Sequence, residues 1–190
     1  MASPQARLSI GSLRLNDRTL EQIKFLEWED VVGIWQSNED YPGSHWEPIW
    51  KAKGFTSWLA WRGVNIQKLG LDALNWSLWS IPFPAITIRE FHGGPYRGWA
   101  VQYYEGHPLP KFSQLAGKMK EHPFVTEFLS DSPLNTTVTG LVRAGEIIII
   151  EGMHRCCAFA AASRQKHYTL RTHVNICLAQ WPDDKNLPLL

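Results

Sequence analysis

The 190-residue chain carries 19 Lys and Arg against 18 Asp and Glu, and 44% of its residues are hydrophobic. This composition supplies enough apolar surface for a folded core, which excludes a wholly disordered chain. The net charge of +1 lacks the concentrated positive field that nonspecific nucleic-acid binding requires. No stretch approaches the roughly 18 uninterrupted apolar residues of a spanning helix, and the first 20 residues lack a secretion signal. We therefore expect a cytoplasmic protein that binds neither nucleic acid nor membrane.

Tryptophan is concentrated in the first half of the chain, where eight of the ten tryptophans lie between Trp28 and Trp79. Six of them form pairs spaced by three or four residues: Trp46 and Trp50, Trp58 and Trp61, and Trp76 and Trp79. Such spacing puts both rings on one face of a helix, so we predict short helices here. The sequence leaves two uses of these rings open, as large core side chains or as stacking surfaces for a flat ligand.

A segment rich in proline and glycine, residues 82–95, divides the chain in two. We predict that residues 1–97 form a tryptophan-rich, mainly helical extension packed on the core. Residues 98–190 are predicted to form a second domain that mixes strands and helices. The fold class expected for the whole chain is therefore α+β.

Hydrophobic periodicity gives the elements of the second half in chain order. A β-branched and aromatic run predicts a strand over 98–104, and apolar residues at helical spacing predict helices over 110–120 and 124–129. Residues 135–143 and 146–150 predict a hairpin that turns at Ala144 and Gly145. Four consecutive isoleucines in its second strand are suited to burial on both faces. An alanine-rich helix over 155–164 and a strand over 171–179 complete the prediction.

The turn from Glu151 to Arg155 combines features of an anion-binding site. A buried strand that passes directly into a helix presents unpaired N–H groups and the positive end of the helix dipole. Gly152 permits close backbone approach or a positive φ, and His154 and Arg155 add side-chain donors. The alternative is a purely structural helix start, with Arg155 paired to Glu151 or Glu146.

The sequence Gly152-Met153-His154-Arg155 resembles the ParB/sulfiredoxin superfamily, specifically its ParB N-terminal-like domain. In that superfamily a strand ends in Gly-x-His-Arg or Gly-x-x-Arg and runs into an alanine-rich helix. The resemblance covers residues 99–180 and includes the preceding helix and the trailing strand. It implies a small mixed sheet with helices, in which this turn holds nucleotide phosphates. Lys111, near the start of the earlier helix, is implied to assist.

The resemblance also implies a choice of chemistry. Sulfiredoxins place a catalytic cysteine where this chain has Met153, so sulfiredoxin activity is not expected. Partition proteins of the superfamily add a DNA-binding domain and bind CTP, a role that the near-neutral charge does not favour. Free-serine kinases of the superfamily use a carboxylate in the loop occupied here by Glu105. We therefore expect ATP-dependent phosphoryl transfer to a small-molecule acceptor, with Glu105 as the catalytic base and ATP, or another nucleotide, with Mg²⁺ as cofactor.

Several alternatives stay open at this point. Glu90 and Glu151 compete with Glu105 as the base. The protein is alternatively a noncatalytic, nucleotide-responsive module whose tryptophan-rich half contacts a ligand or partner, or a fold whose turn binds nothing. No metal-binding residues are predicted, because the histidines are scattered and the cysteines lack metal-ligand spacing. The three cysteines, Cys156, Cys157 and Cys177, are expected to be reduced and buried.

Overall fold

A computed structural model of the protein describes residues 12–15, 18–131, 135–162 and 173–190, and these form an α+β fold. The six strands are β1 (Ser12–Leu15), β2 (Arg18–Leu26), β3 (Trp76–Ile81), β4 (Asn135–Arg143), β5 (Glu146–Glu151) and β6 (His173–Gln180). The helices are α1 (Trp28–Glu39), α2 (Trp46–Ala52), α3 (Trp58–Leu69), α4 (Pro84–Thr87), α5 (Arg97–Tyr103), α6 (Phe112–Met119), α7 (Pro123–Asp131) and α8 (Met153–Ala162). None of these helices has the length and apolar character needed to cross a membrane.

The six strands form one mixed sheet in the order β1-β2-β3-β6-β4-β5. The β4 and β6 strands are parallel, whereas the other neighbouring strands are antiparallel. The β5 edge is covered by the segment at His92, whose N–H donates to Ile147 O at 2.8 Å and whose carbonyl accepts from Ile149 N at 3.0 Å. Because these bonds satisfy backbone groups of the edge strand, β5 can be buried on both faces.

Two hydrophobic cores lie on opposite faces of the sheet. The first core contains side chains of α6, α7 and α8 packed on one face of the sheet. The second core contains side chains of α1, α2 and α3, including the buried Trp35, Trp50 and Trp58. The alternation is visible in β5, where Ile147 and Ile149 face the first core and Ile150 faces the second. The tryptophan-rich helices therefore cover one face of the sheet.

Several predicted elements are confirmed. The helices at the Trp46 and Trp58 pairs, the helices over 112–119 and 123–131, and the β4–β5 hairpin are present. Ala144 and Gly145 both have positive φ, as a two-residue hairpin turn requires. The alanine-rich helix begins at Met153, two residues earlier than predicted, and the predicted residues 163, 164, 171 and 172 lie outside the described residues.

Two predictions of secondary structure are wrong. Residues 98–104 were expected to be a strand but lie largely in α5, because Trp99, Ala100 and Tyr103 pack at helical spacing against the first core. The Trp76 and Trp79 pair lies in a strand, where a separation of three residues puts the two rings in opposite cores. The described part of residues 1–97 also contributes β1, β2 and β3, which its helical pattern did not predict, so the sheet crosses the predicted boundary at residue 97.

The passage from β5 into α8 depends on Gly152. Its φ is +93°, a value that L side chains rarely adopt, and a Cβ at this position would lie 2.5 Å from Val138 Cγ1. Both restrictions apply only to residues with a side chain, so the tight turn requires glycine. The start of α8 is thereby packed directly against β4.

We expect Gly152→Ala to lower the free energy of unfolding by about 3 kcal/mol, because it combines backbone strain with a steric clash. Gly117→Ala is the matched control, since Gly117 lies in α6 with open space around its Cβ position. That control should stabilise the protein slightly, by up to about 1 kcal/mol. Urea unfolding of both variants measures the difference, and equal stability of the two would contradict the account of this turn.

Candidate functional site

A cavity of about 820 Å³ lies between the tryptophan-rich helices and the start of α8. Its walls come from α1, α3, α5, α7 and the β5–α8 turn, so both halves of the chain contribute. Its aromatic lining consists of Tyr41, Trp46, Phe55, Trp61, Tyr96, Trp99, Phe124 and Phe128. A volume of this size falls within the range of small-molecule and cofactor sites.

Four of the five residues predicted to bind phosphate line this cavity: Gly152, Met153, His154 and Arg155. The N–H groups of the first turn of α8 have no acceptor within the helix, because an α-helix leaves its first four amides unpaired. The Met153 side chain is buried, and its sulfur accepts a hydrogen bond from Gly94 N at 3.1 Å. Met153 can therefore contact a ligand in the cavity through its backbone. The structure thus brings the predicted turn to the wall of a ligand-sized cavity.

Arg155 is held by protein groups at the edge of the cavity. It forms a buried ion pair with Glu151, and its Nη1 donates to Thr136 Oγ1 at 2.5 Å and to Thr137 O at 3.1 Å. Three of its five N–H groups are therefore used. Burial raises the pKa of Glu151 to about 7, although the Arg155 guanidinium favours the carboxylate. The pairing of Arg155 with Glu151, considered from the sequence as a structural alternative, is present in the fold.

A second buried ion pair also lines the cavity, between Glu39 at the end of α1 and Arg62 in α3. The Arg62 Nη2 to Glu39 Oε1 distance is 2.5 Å, and Arg62 Nε donates to Glu39 Oε2 at 2.6 Å. Trp58 Nε1 donates to the same carboxylate at 2.8 Å. The sequence contained one indication of this arrangement, because Trp58 and Arg62 are four residues apart on α3 and share a face.

A cluster of aromatic and imidazole rings surrounds His154 at the start of α8. Its ring centroid lies 4.8 Å from that of His122, 5.0 Å from Trp99, 5.2 Å from Phe124 and 6.0 Å from Trp46. His45 stacks on Phe124 with a centroid separation of 3.9 Å. Elements far apart in sequence thus meet at the N-terminal end of α8.

Burial favours the neutral forms of the histidines in this cluster. Burial lowers the pKa of His154 to about 3, and the neighbouring His122, His45 and Arg155 lower it further. Burial also lowers the pKa values of His45 and His122. His154 can therefore donate or accept a hydrogen bond without carrying charge.

Lys111 and Glu105, the other two predicted site residues, lie outside the cavity lining. Lys111 Nζ is 3.0 Å from Glu90 Oε2, and Glu105 Oε2 is 2.7 Å from Lys118 Nζ. The hydrogen bond and positive charge of Lys118 lower the pKa of the exposed Glu105 carboxyl. Neither residue is among the lining residues that include the Gly152 turn.

The cavity contains polar residues that the sequence analysis missed. Lys53, Arg97 and Asn65 line it, and their side chains make no hydrogen bond or ion pair with the residues that the structure describes. Glu127 also lines the cavity, and its carboxylate forms no ion pair with any residue that the structure describes. No motif marked these residues, because they are separated by up to 74 positions and converge only in the fold.

Within residues 12–15, 18–131, 135–162 and 173–190, no three or more His, Cys, Asp or Glu side chains are grouped to hold a metal ion. Comparison of the chain with family models, curated proteins and solved structures gives no match. The functional inference therefore depends on the cavity itself.

We expect the stability of the protein to fall as the pH decreases from 6.5 towards 3, because unfolded His154 takes up a proton that folded His154 does not. The pKa of His154 is lower in the folded state than in the unfolded state. The full stability of the protein is therefore present above the unfolded pKa of His154 and is lost as the pH falls below that value. His154 contributes up to about 1.4 kcal/mol per pH unit in this window. His154→Phe keeps a ring but cannot titrate, and should flatten the pH dependence of urea unfolding. His107→Gln, at an exposed position, is the control; identical slopes in all three proteins would rule this explanation out.

Proposed function

We propose that the protein binds a nucleotide in this cavity, with its phosphates at the N-terminus of α8. The observation that supports this most directly is that the Gly152 turn opens into a ligand-sized cavity lined with aromatic rings. A helix N-terminus attracts phosphate through its unpaired amides and dipole. Aromatic rings beside it suit a planar base.

The charges of the cavity favour an anionic ligand. Glu39 and Arg62 neutralise each other, as do Glu151 and Arg155. The remaining charged side chains among the described lining residues are then those of Lys53, Arg97 and Glu127. Together with the helix dipole, these two cations provide the positive charge that we had expected from Lys111.

Membership of the ParB/sulfiredoxin superfamily also remains a proposal. The passage from β5 through Gly152 into α8, and the trailing strand β6, agree with what the resemblance implies. The expected first strand is replaced by α5, and three further strands come from the tryptophan-rich half. The proposed binding site does not depend on the superfamily.

Phosphoryl transfer from ATP to a small-molecule acceptor is a second candidate function, favoured by the position of Glu151. This carboxyl lies in the cavity beside the α8 turn, and burial raises its pKa against the opposing effect of Arg155, which makes it a better proton acceptor than an exposed carboxylate. Glu105, the base expected from the sequence, is not among the lining residues and pairs with Lys118. Mg²⁺ commonly binds through substrate phosphates and one or two carboxylates, and Glu127 is the lining carboxylate not held by an arginine.

Saturating ATP should stabilise the protein, by about 2.7 kcal/mol at 100 times its Kd, because the ligand binds only the folded state. Arg97→Ala should weaken ATP binding about tenfold through loss of a charge-assisted contact. Lys120→Ala removes the same charge at an exposed position outside the cavity and should leave the affinity unchanged. Thermal unfolding with ATP, ADP, CTP, GTP and pyrophosphate, with and without Mg²⁺, tests the proposal. The proposal is wrong if none of these compounds raises the melting temperature.

Phosphoryl transfer can be tested separately by following ADP formation with free serine and other hydroxyl compounds as acceptors. If the protein turns over ATP, Glu151→Gln should slow the reaction by about 100-fold or more, since it removes the base while keeping the side-chain shape. Glu105→Gln should leave the rate unchanged. The reverse pattern, with loss only in Glu105→Gln, would support the carboxylate expected from sequence and exclude Glu151.

A further inference from the structure

The α3 helix presents two stripes of side chains with different partners. Trp58 and Arg62 are buried and bind the Glu39 carboxylate, and Arg62 also borders the cavity. Trp61 and Asn65, which are also four residues apart, both line the cavity. The second stripe therefore places an aromatic ring and an amide side by side in the wall of the cavity.

The Trp61 ring is held in position by the buried ion pair. The Arg62 guanidinium carbon lies 3.8 Å from the centroid of Trp61, and both Glu39 oxygens fix that guanidinium. The Arg62 guanidinium covers one face of the Trp61 ring and, because hydrogen bonds to Glu39 hold it, limits the rotamers that Trp61 can adopt. Lys53 Nζ also lies over this ring, 5.8 Å from its centroid. Trp61 remains only partly buried, so its ring is a rigid surface that contributes to the cavity.

The Asn65 amide is available to a ligand. It is half-buried, lines the cavity and makes no hydrogen bond with any residue that the structure describes. An amide presents a donor and an acceptor in one plane, which match a nucleobase edge that carries an acceptor beside a donor, as adenine does. Asn65 therefore complements the edge of a planar ring whose face lies on Trp61.

Trp46 connects this pair of residues with the start of α8. Its ring centroid lies 5.8 Å from that of Trp61 and 6.0 Å from that of His154. The Trp61 and Asn65 stripe and the α8 N-terminus are thus parts of one continuous wall. A single molecule that joins a planar ring to an anionic group can contact both.

We infer that Trp61 and Asn65 form a base subsite, in which Trp61 stacks on a planar heteroaromatic ring and Asn65 pairs with an edge that presents a donor next to an acceptor, as in an adenine nucleotide. This inference rests on the proposed function, because it assigns the ring end of the same ligand. Neither residue was selected by the sequence motif.

Calorimetric titration of the full chain with ATP, adenosine and tripolyphosphate tests the two parts separately. In Trp61→Leu and in Asn65→Leu, the affinity for ATP should fall by about tenfold, within the range found for lost base stacking or bidentate base contacts. The affinity for tripolyphosphate should not change in either variant. Gln67→Leu is the matched control, because Gln67 is exposed on the same helix and outside the cavity lining. Melting temperatures close to that of the wild type establish that the variants fold.

The outcomes distinguish the inference from the proposed function. Unchanged ATP affinity in the Trp61 and Asn65 variants, or an equal loss for ATP and tripolyphosphate, would overturn the base subsite. Wild-type protein that binds tripolyphosphate as tightly as ATP would also overturn it, while leaving phosphate binding at α8 intact. Binding of adenosine without tripolyphosphate would support the base subsite and contradict the phosphate site. Binding of none of the three compounds would contradict both.

Discussion

The antiparallel pairing of β3 with β6 joins the two halves of the chain, and the cavity depends on it. Six residues of β3, from Trp76 to Ile81, pair with β6, which in turn pairs in parallel with β4. This places the tryptophan-rich helices on one face of the sheet and α8 on the other. The two groups of helices meet near the start of β4 and the end of β5, where the cavity lies.

Buried charges organise the wall of this cavity. Two buried arginine–glutamate pairs line the cavity: Glu39 with Arg62, and Glu151 with Arg155. Burying these charges carries a desolvation penalty that apolar side chains at the same positions would avoid. Asn38 connects the two sides, since its Nδ2 donates to Thr137 O at 2.9 Å and to Glu151 Oε2 at 3.4 Å. Such pairs contribute little net stability but hold side chains in a fixed geometry. Here the Glu39–Arg62 pair fixes the Trp61 ring, and the Glu151–Arg155 pair fixes the β5–α8 turn.

Local patterns predicted much of the second half of the fold. The four isoleucines, the Ala144-Gly145 turn and the passage through Gly152 into α8 each depend on near neighbours in sequence, and all three are present. The strand expected over 98–104 failed because the packing of Trp99 and Tyr103 on the core overrides β propensity. The Trp76 pair failed because a spacing of three residues is compatible with a strand that is buried on both faces.

The candidate site was only partly predictable, because some of its residues belong to a local motif and others meet only in the fold. The Gly152 turn is a local motif and lies at the cavity as a phosphate site would. Lys111 and Glu105 were assigned through a resemblance, and the fold pairs them with Glu90 and Lys118 instead. Arg97, Lys53 and Asn65 enter the site through tertiary contacts between distant segments, which spacing along the chain does not encode.

The central claim is that a nucleotide occupies the cavity with its phosphates at the start of α8. The most direct measurement is a titration of ¹⁵N-labelled protein with ATP, followed by NMR through the backbone amides and the indole N–H groups. The account predicts the largest shifts at the amides of Met153, His154 and Arg155 and at the indoles of Trp46, Trp61 and Trp99. Shifts confined to the surroundings of Lys111 and Glu105, with the α8 amides unchanged, would contradict it.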